Sequence, residues 1–228
     1  MQYRYLFFDM DNTLFDFDAD EDQALAQLFK DQGVQLTPTI KTTYQTFNQN
    51  LWRQYEEGTL TREILLNTRF ATFFKEQFNQ EVDGPRLSQN YLDNLALGHD
   101  LMPQAEALLK ALKAANIKLY VTTNGVANTQ YRRLQDSGLI TYFDAVFVLE
   151  ELGYQKPDPR YFQSVFQQLE GISQAEALIV GDSLTSDVQG GQNVGVATAW
   201  YNPNQLANQM TDIQPTHEIE HLMDLLAI

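Results

Sequence analysis

Tyr5-Leu6-Phe7-Phe8-Asp9-Met10-Asp11-Asn12-Thr13 runs four apolar residues straight into a pair of carboxylates. An apolar run that stops abruptly at an acid fits a buried parallel strand, covered by helices on both faces. Asp9 and Asp11, leaving such a strand two residues apart, point into one crevice. Like charges that close need a compensating cation or one raised pKa. One could act as nucleophile on phosphorus. The other could protonate the leaving oxygen and then activate water. A plain strand-to-loop turn would use the same residues, so the rest of the chain has to decide.

Further apolar runs of this kind occur at 119–122, 145–148 and 178–180, with a fifth at 196–200. Helical patterns separate them at 104–115, 129–137, 160–169 and 185–194. Alternating strands and helices imply right-handed crossovers and a doubly wound, open parallel sheet. Ligands of such sheets bind at the carboxyl ends of the strands. No strand signal lies between the first run and the second. Helical patterns fill that interval at 20–32, 44–55, 61–77 and 85–97, with Gly33 placed to end the first and Thr37-Pro38 reading as an N-cap and first-turn proline. The predicted organisation is an α/β core over 1–15 and 98–228, with an α-helical cap inserted over 16–97. By position the insertion is a lid over the first strand's carboxyl end.

Composition narrows the chemistry. The 228 residues are 43% hydrophobic, enough for one α/β core and a smaller module. Cysteine is absent, which excludes disulfides, thiolate metal sites and a cysteine nucleophile. Asp9 interrupts the short apolar stretch near the N-terminus, and no segment approaches a membrane span, so the expected location is the cytoplasm. A formal net charge of −15 argues against nucleic acid or an anionic membrane as partner. Nothing suggests an obligate protein partner. A small phosphate ester would bind such a chain only where a cation or oriented N–H groups reverse the field.

Three more strand ends supply that reversal. Gly181-Asp182-Ser183-Leu184-Thr185-Ser186-Asp187 places Asp182 at a carboxyl end and Asp187 about one helical turn on. Oxygen-only ligands suit Mg²⁺, and Asp9, Asp182 and a backbone carbonyl would serve; alone, Asp182 also suits a helix cap. Thr122-Thr123-Asn124-Gly125 offers a hydroxyl and N–H groups to an anion, or is an ordinary strand–turn–helix junction. Lys156, before Pro157, could neutralise phosphate and acids together, or sit in a solvated loop. Together the four strand ends carry nucleophile and acid, hydroxyl and amides, cation, and metal-binding acids. Independent turns rarely supply so complementary a set.

With these motifs in order over the whole core, the chain resembles the haloacid dehalogenase-like hydrolase superfamily. The resemblance implies that Asp9 is the nucleophile and Asp11 the general acid/base. Mg²⁺ would be held by Asp9, Asp182 and the Asp11 carbonyl, with Asp187 supporting that shell. Thr123, Asn124 and Lys156 would bind the phosphoryl group. Dehalogenases of the superfamily lack the second motif-one aspartate, so Asp11 favours phosphoryl transfer. Leu14-Phe15-Asp16-Phe17, Asn124-Gly125 with Gln130, Arg133-Leu134, Ser137-Gly138-Leu139, Tyr142-Phe143-Asp144 and Trp200-Tyr201-Asn202-Pro203 look like the bacterial noncanonical pyrimidine nucleotidases. That likeness implies a 5′-nucleotidase acting on nucleoside monophosphates. The expected rivals are a sugar-phosphate phosphatase or phosphomutase on the same core, and a phosphometabolite-binding regulator without turnover. In the insertion, Trp52, Tyr55 and Phe70 could stack on a base, and Arg62 or Arg69 could reach phosphate or ribose; aromatics at helical spacing are more often core.

Weaker signals have plain readings. Asp16, Asp18, Asp20, Glu21 and Asp22 read as a solvated hinge whose carboxylates favour the next helix's N-terminus. His99, His217 and His221 share no spacing and take structural or surface roles. Residues 217–226 are predicted to form a terminal packing helix.

Overall fold

The computed structural model describes residues 2–228. Strands β1 (Tyr5–Phe8), β2 (Lys118–Thr123), β3 (Ala145–Val148), β4 (Ala177–Gly181), β5 (Ala197–Tyr201) and β6 (His217–Ile219) form one all-parallel sheet ordered β3-β2-β1-β4-β5-β6. β1 lies between β2 and β4, with Phe7 in register with Tyr120 on one side and Ile179 on the other. The chain fills one half of the sheet outward from β1, then returns to build the other half. That reversal opens a crevice at the carboxyl end of β1.

Alternation along the strands buries both faces. Leu6 and Phe8 join Leu119, Val121, Leu178 and Val180 in one cluster, backed by Leu108, Leu109 and Leu112 of α5 (Ala105–Ala114) and by Leu134 of α6 (Ala127–Asp136). Phe7 points the other way and joins Tyr120, Phe147 and Ile179, with Tyr161, Phe162 and Val165 of α7 (Pro159–Gln168). Truncating any of the fully buried side chains in these layers would cost about 2–5 kcal/mol. The sheet is therefore a stiff support for whatever projects from its strand ends.

The chain divides into two compact units, Met1–Asp18 with His99–Ile228, and Ala19–Gly98. The second is wholly helical: most of α1 (Phe17–Asp31), then α2 (Pro38–Glu56), α3 (Arg62–Phe78) and α4 (Gly84–Leu95). Side chains of Thr37, Thr61 and Asp83 cap α2, α3 and α4 by accepting from the N–H groups of Ile40, Ile64 and Arg86. Its core is aromatic, with Tyr44 stacked on Phe70 at 5.3 Å and Phe29 packed on Phe74 at 5.0 Å.

The C-terminal segment departs from expectation. Residues 217–226 do not form one helix: His217–Ile219 is edge strand β6, and a 3₁₀ turn follows at Leu222–Ala227. Ile219, Leu222 and Leu225, all buried, carry a three-residue spacing that a strand followed by a 3₁₀ turn satisfies as well as an α-helix would. Among the described residues no helix is long and apolar enough to cross a membrane.

Candidate active site

Four strand ends converge around one lysine. Asp9 leaves β1 with its backbone N–H donating to the Val180 carbonyl of β4 at 2.8 Å, which fixes where the side chain begins. Lys156, 1% exposed, donates to Asp9 Oδ1 at 2.6 Å, to Asp187 Oδ1 at 2.7 Å and to the Thr122 carbonyl at 2.9 Å. An ammonium has three protons, and all three are committed to protein oxygens. In this arrangement no N–H is left over, so what the lysine offers a neighbouring anion is its charge. The loop carrying it is held by Asn124, whose side chain donates to the Lys156 carbonyl and accepts from the Lys156 N–H, both at 2.9 Å. The Lys156–Pro157 peptide is cis.

Asp187 reaches the lysine because Leu184–Val188 is a single π-helical turn, with the N–H groups of Asp187 and Val188 both donating to the Ser183 carbonyl. Asp187 Oδ2 accepts from the Ser183 N–H at 3.2 Å. Gly181 makes room for it: a Cβ there would lie 2.1 Å from Asp187 Oδ2. The carbonyl of Asp182 accepts from Trp200 Nε1 at 2.8 Å, which anchors the backbone of the loop.

Among the described residues, Asp9, Asp182 and Asp187 each present a carboxylate oxygen within 4.8 Å of the others. The electrostatics follow from burial. Burial pushes the Asp9 carboxyl up to about 7; Lys156 opposes the shift, and Asp187 and Asp11 add to it. Burial, then the charges of Asp9 and Asp187, raise Asp182 well above the usual carboxylate range. Burial pulls Lys156 down, but Asp187 and Asp9 outweigh it and hold the ammonium charged. Once ionised, three acids around one lysine would carry surplus negative charge, which is what raises Asp9 and Asp182 beyond the effect of burial. Hard oxygen donors at this spacing fit a divalent cation such as Mg²⁺.

Asp11 turns its carboxylate toward α6, where it accepts from Gln130 Nε2 at 2.8 Å and pairs with Arg133. Thr123, at the end of β2, accepts at its hydroxyl from the Gly125 N–H and from Gln130 Nε2, each at 3.0 Å. So Asp9, Lys156, Asp182 and Asp187 form one cluster, while Asp11 and Thr123 are joined through Gln130. The residues expected to select the leaving group lie in the helical unit. Phe70 is fully buried, with Tyr44 stacked on it and the Arg69 guanidinium 4.9 Å from its ring centroid. Tyr55 and Arg69 are buried as well, and Trp52 and Arg62 are partly exposed. Sequence reasoning gave no contact to Gln130 or Arg133. Besides their place in the family likeness, the signal for them was a spacing of three on one helix, which puts both on one face.

A doubly wound sheet whose strand ends gather a buried aspartate, a lysine and further acids at the switch point has the build of a hydrolytic enzyme. The haloacid dehalogenase-like hydrolase model matches residues 3–195, and the chain belongs to that family. The HAD-hydrolase YfnB of Bacillus subtilis is 46% identical over 227 residues, covering 100% of this chain and 95% of that protein. Its magnesium-bound crystal structure, reported to reveal interdomain movement, covers 100% of this chain and 98% of its own at a TM-score of 0.94. The pyrimidine 5′-nucleotidases PynA of Streptococcus pneumoniae and YjjG of Escherichia coli are 44% and 34% identical. The PynA match covers 99% of this chain and 94% of that protein, and the YjjG match 98% and 99%.

Proposed function

We propose that this enzyme is a Mg²⁺-dependent phosphomonoesterase that works through an aspartyl-phosphate on Asp9, with pyrimidine nucleoside 5′-monophosphates, noncanonical ones included, as substrates. The observation that carries the chemistry is Asp9, at the end of β1, held 2.6 Å from Lys156 and grouped with Asp182 and Asp187. Two full-length relatives that are pyrimidine 5′-nucleotidases support the substrate class. The absence of cysteine suits a reducing cytoplasm, the location this reading takes.

In this reading an Asp9 oxygen attacks phosphorus, and the bond from phosphorus to the ester oxygen breaks. Asp11 gives its proton to that oxygen. As a carboxylate it then takes a proton from water while the water oxygen attacks the acyl phosphate. Phosphate leaves and Asp9 is restored. Lys156 supplies a fixed positive charge beside the phosphoryl oxygens, and Thr123 and the backbone N–H groups near it supply donors. Mg²⁺, when held by the Asp9 and Asp182 carboxylates and the Asp11 carbonyl with Asp187 in support, neutralises phosphoryl charge as a Lewis acid.

The test is phosphate release across pyrimidine and purine nucleoside monophosphates and sugar phosphates. Preference for the pyrimidine nucleotides supports the reading. Equal or better turnover of sugar phosphates removes the nucleotide assignment, and no release from any member removes the phosphatase.

A further inference from the structure

Gln130 and Arg133 have no part in the reaction as set out, yet they are among the most enclosed polar groups of the core unit, 1% and 0% exposed. The amide of Gln130 is fully engaged. Nε2 donates to Asp11 Oδ2 at 2.8 Å and to Thr123 Oγ1 at 3.0 Å, and Oε1 accepts from Arg133 Nη1 at 3.1 Å. A carboxylate only accepts and a guanidinium only donates, so these partners allow the amide one orientation. Arg133 pairs with the other Asp11 oxygen, and its guanidinium carbon lies 4.7 Å from the centroid of the Phe15 ring.

The consequence at Thr123 is directional. Its hydroxyl oxygen has two lone pairs and one proton. Gly125 N–H and Gln130 Nε2 occupy the lone pairs, so the proton is left to donate outward. Gly125 is part of the arrangement: a Cβ there would lie 2.4 Å from Gln130 Nε2, in the space the amide needs.

We infer that Gln130, braced by Arg133, is a positioning residue of the reaction: it fixes the Asp11 carboxylate and commits the Thr123 hydroxyl to donating toward phosphoryl oxygens. One amide thereby ties the group that moves the proton to a group that holds the phosphate. This inference rests on the proposed roles of Asp11 and Thr123.

The experiment compares Gln130→Met, Gly125→Ala, Arg133→Met and Arg133→Lys with the parent enzyme on two substrates, in saturating Mg²⁺. A pyrimidine nucleoside monophosphate releases an alkoxide that needs a proton, whereas p-nitrophenyl phosphate releases a stable aryloxide. In Gln130→Met, kcat for the nucleotide falls by roughly 10²-fold, the scale of a mispositioned general acid. Release of p-nitrophenolate in the first turnover falls by far less, and KM rises for both substrates. Gly125→Ala, whose Cβ would lie within 2.7 Å of Gln130 Nε2, Cδ and Cγ and so displaces that side chain, reproduces the direction with smaller losses and carries the test if Gln130→Met does not fold. Arg133→Lys keeps the charge and recovers part of the loss seen in Arg133→Met. Equal losses on both substrates, or parent-like kinetics in Gln130→Met and Gly125→Ala, overturn the inference. Leaving-group selectivity in Asp11→Asn but not in Gln130→Met sinks the positioning role alone, whereas full activity in Asp9→Asn sinks the underlying phosphatase reading.

Discussion

Replacing Lys156 with methionine removes one ammonium from beneath two carboxylates. The parent lysine donates to Asp9, Asp187 and the Thr122 carbonyl within 2.9 Å, and is almost wholly buried. Methionine keeps much of the volume and none of the charge, leaving both acids without their cation. Breaking a buried pair from one side costs about 3–5 kcal/mol. At roughly 2–4 °C per kcal/mol for a chain of this size, the chelated variant should melt roughly 6–20 °C below the parent. The deficit should also depend on pH. The Asp9 carboxyl already stands at about 7 in the fold, above its ordinary value, because of burial. A carboxyl raised on folding contributes stability at pH values below its unfolded pKa, and that contribution is lost as pH climbs to the folded pKa. Removing Lys156 lifts it further, so the variant should lose more stability than the parent between about pH 5 and about pH 8. Thermal melts of both proteins in EDTA at the two ends of that range measure it. A deficit below about 1 kcal/mol, the value of an exposed pair, or one equal at both pH values, would refute the burial argument. In Mg²⁺ the same variant should lose roughly 10²–10³-fold in kcat, as expected when one fixed charge leaves a transition state.

Other outcomes follow from the same geometry. Mg²⁺ should raise the melting temperature of the chelated protein, by the equivalent of about 2.7 kcal/mol at a hundredfold excess over Kd; the shift should be larger at about pH 8 than at about pH 6, because Asp9 and Asp182 are both held above the usual carboxylate range and must lose their protons to bind. An equal shift at both pH values would count against those carboxylates as ligands. Gly181→Ala should displace Asp187 from Lys156, weaken Mg²⁺ binding measured by calorimetry, and lower stability by about 1–3 kcal/mol, since the new Cβ would sit 2.1 Å from Asp187 Oδ2; unchanged binding would place Asp187 outside the metal shell. Tyr44→Phe should leave stability within about 1 kcal/mol of the parent or raise it, because the buried Tyr44 hydroxyl has no hydrogen-bond partner among the described residues. A larger loss in chemical denaturation would reveal a partner for that hydroxyl.

The fold was legible where physics acts locally. Each central strand is a short apolar run, and Asp9 and Asp182 stand where two such runs stop, so sheet class and acid positions could be read together. Thr37 and Gly33 marked helix ends for the same local reason. The C-terminal segment was opaque because Ile219, Leu222 and Leu225 keep a spacing that does not separate a strand and 3₁₀ turn from a helix. The seat of Asp187 beside Lys156 depends on a π turn and on the missing side chain at Gly181, neither of which leaves a periodic trace. Gln130 and Arg133 meet Asp11 across more than a hundred residues of chain. Two polar side chains on one helix face say nothing about which carboxylate will face them. Three-dimensional assembly alone gives Lys156 its partners and exhausts its protons, a constraint invisible in a lysine–proline pair.

The most direct measurement is mass spectrometry of the enzyme acid-quenched during turnover of a pyrimidine nucleoside monophosphate in Mg²⁺. The account requires one phosphoryl group on the peptide that contains Asp9, absent when EDTA replaces Mg²⁺ and absent in Asp9→Asn, which should also release no phosphate. Steady phosphate release from Asp9→Asn, or a phosphoryl group carried on a peptide without residue 9, would contradict it.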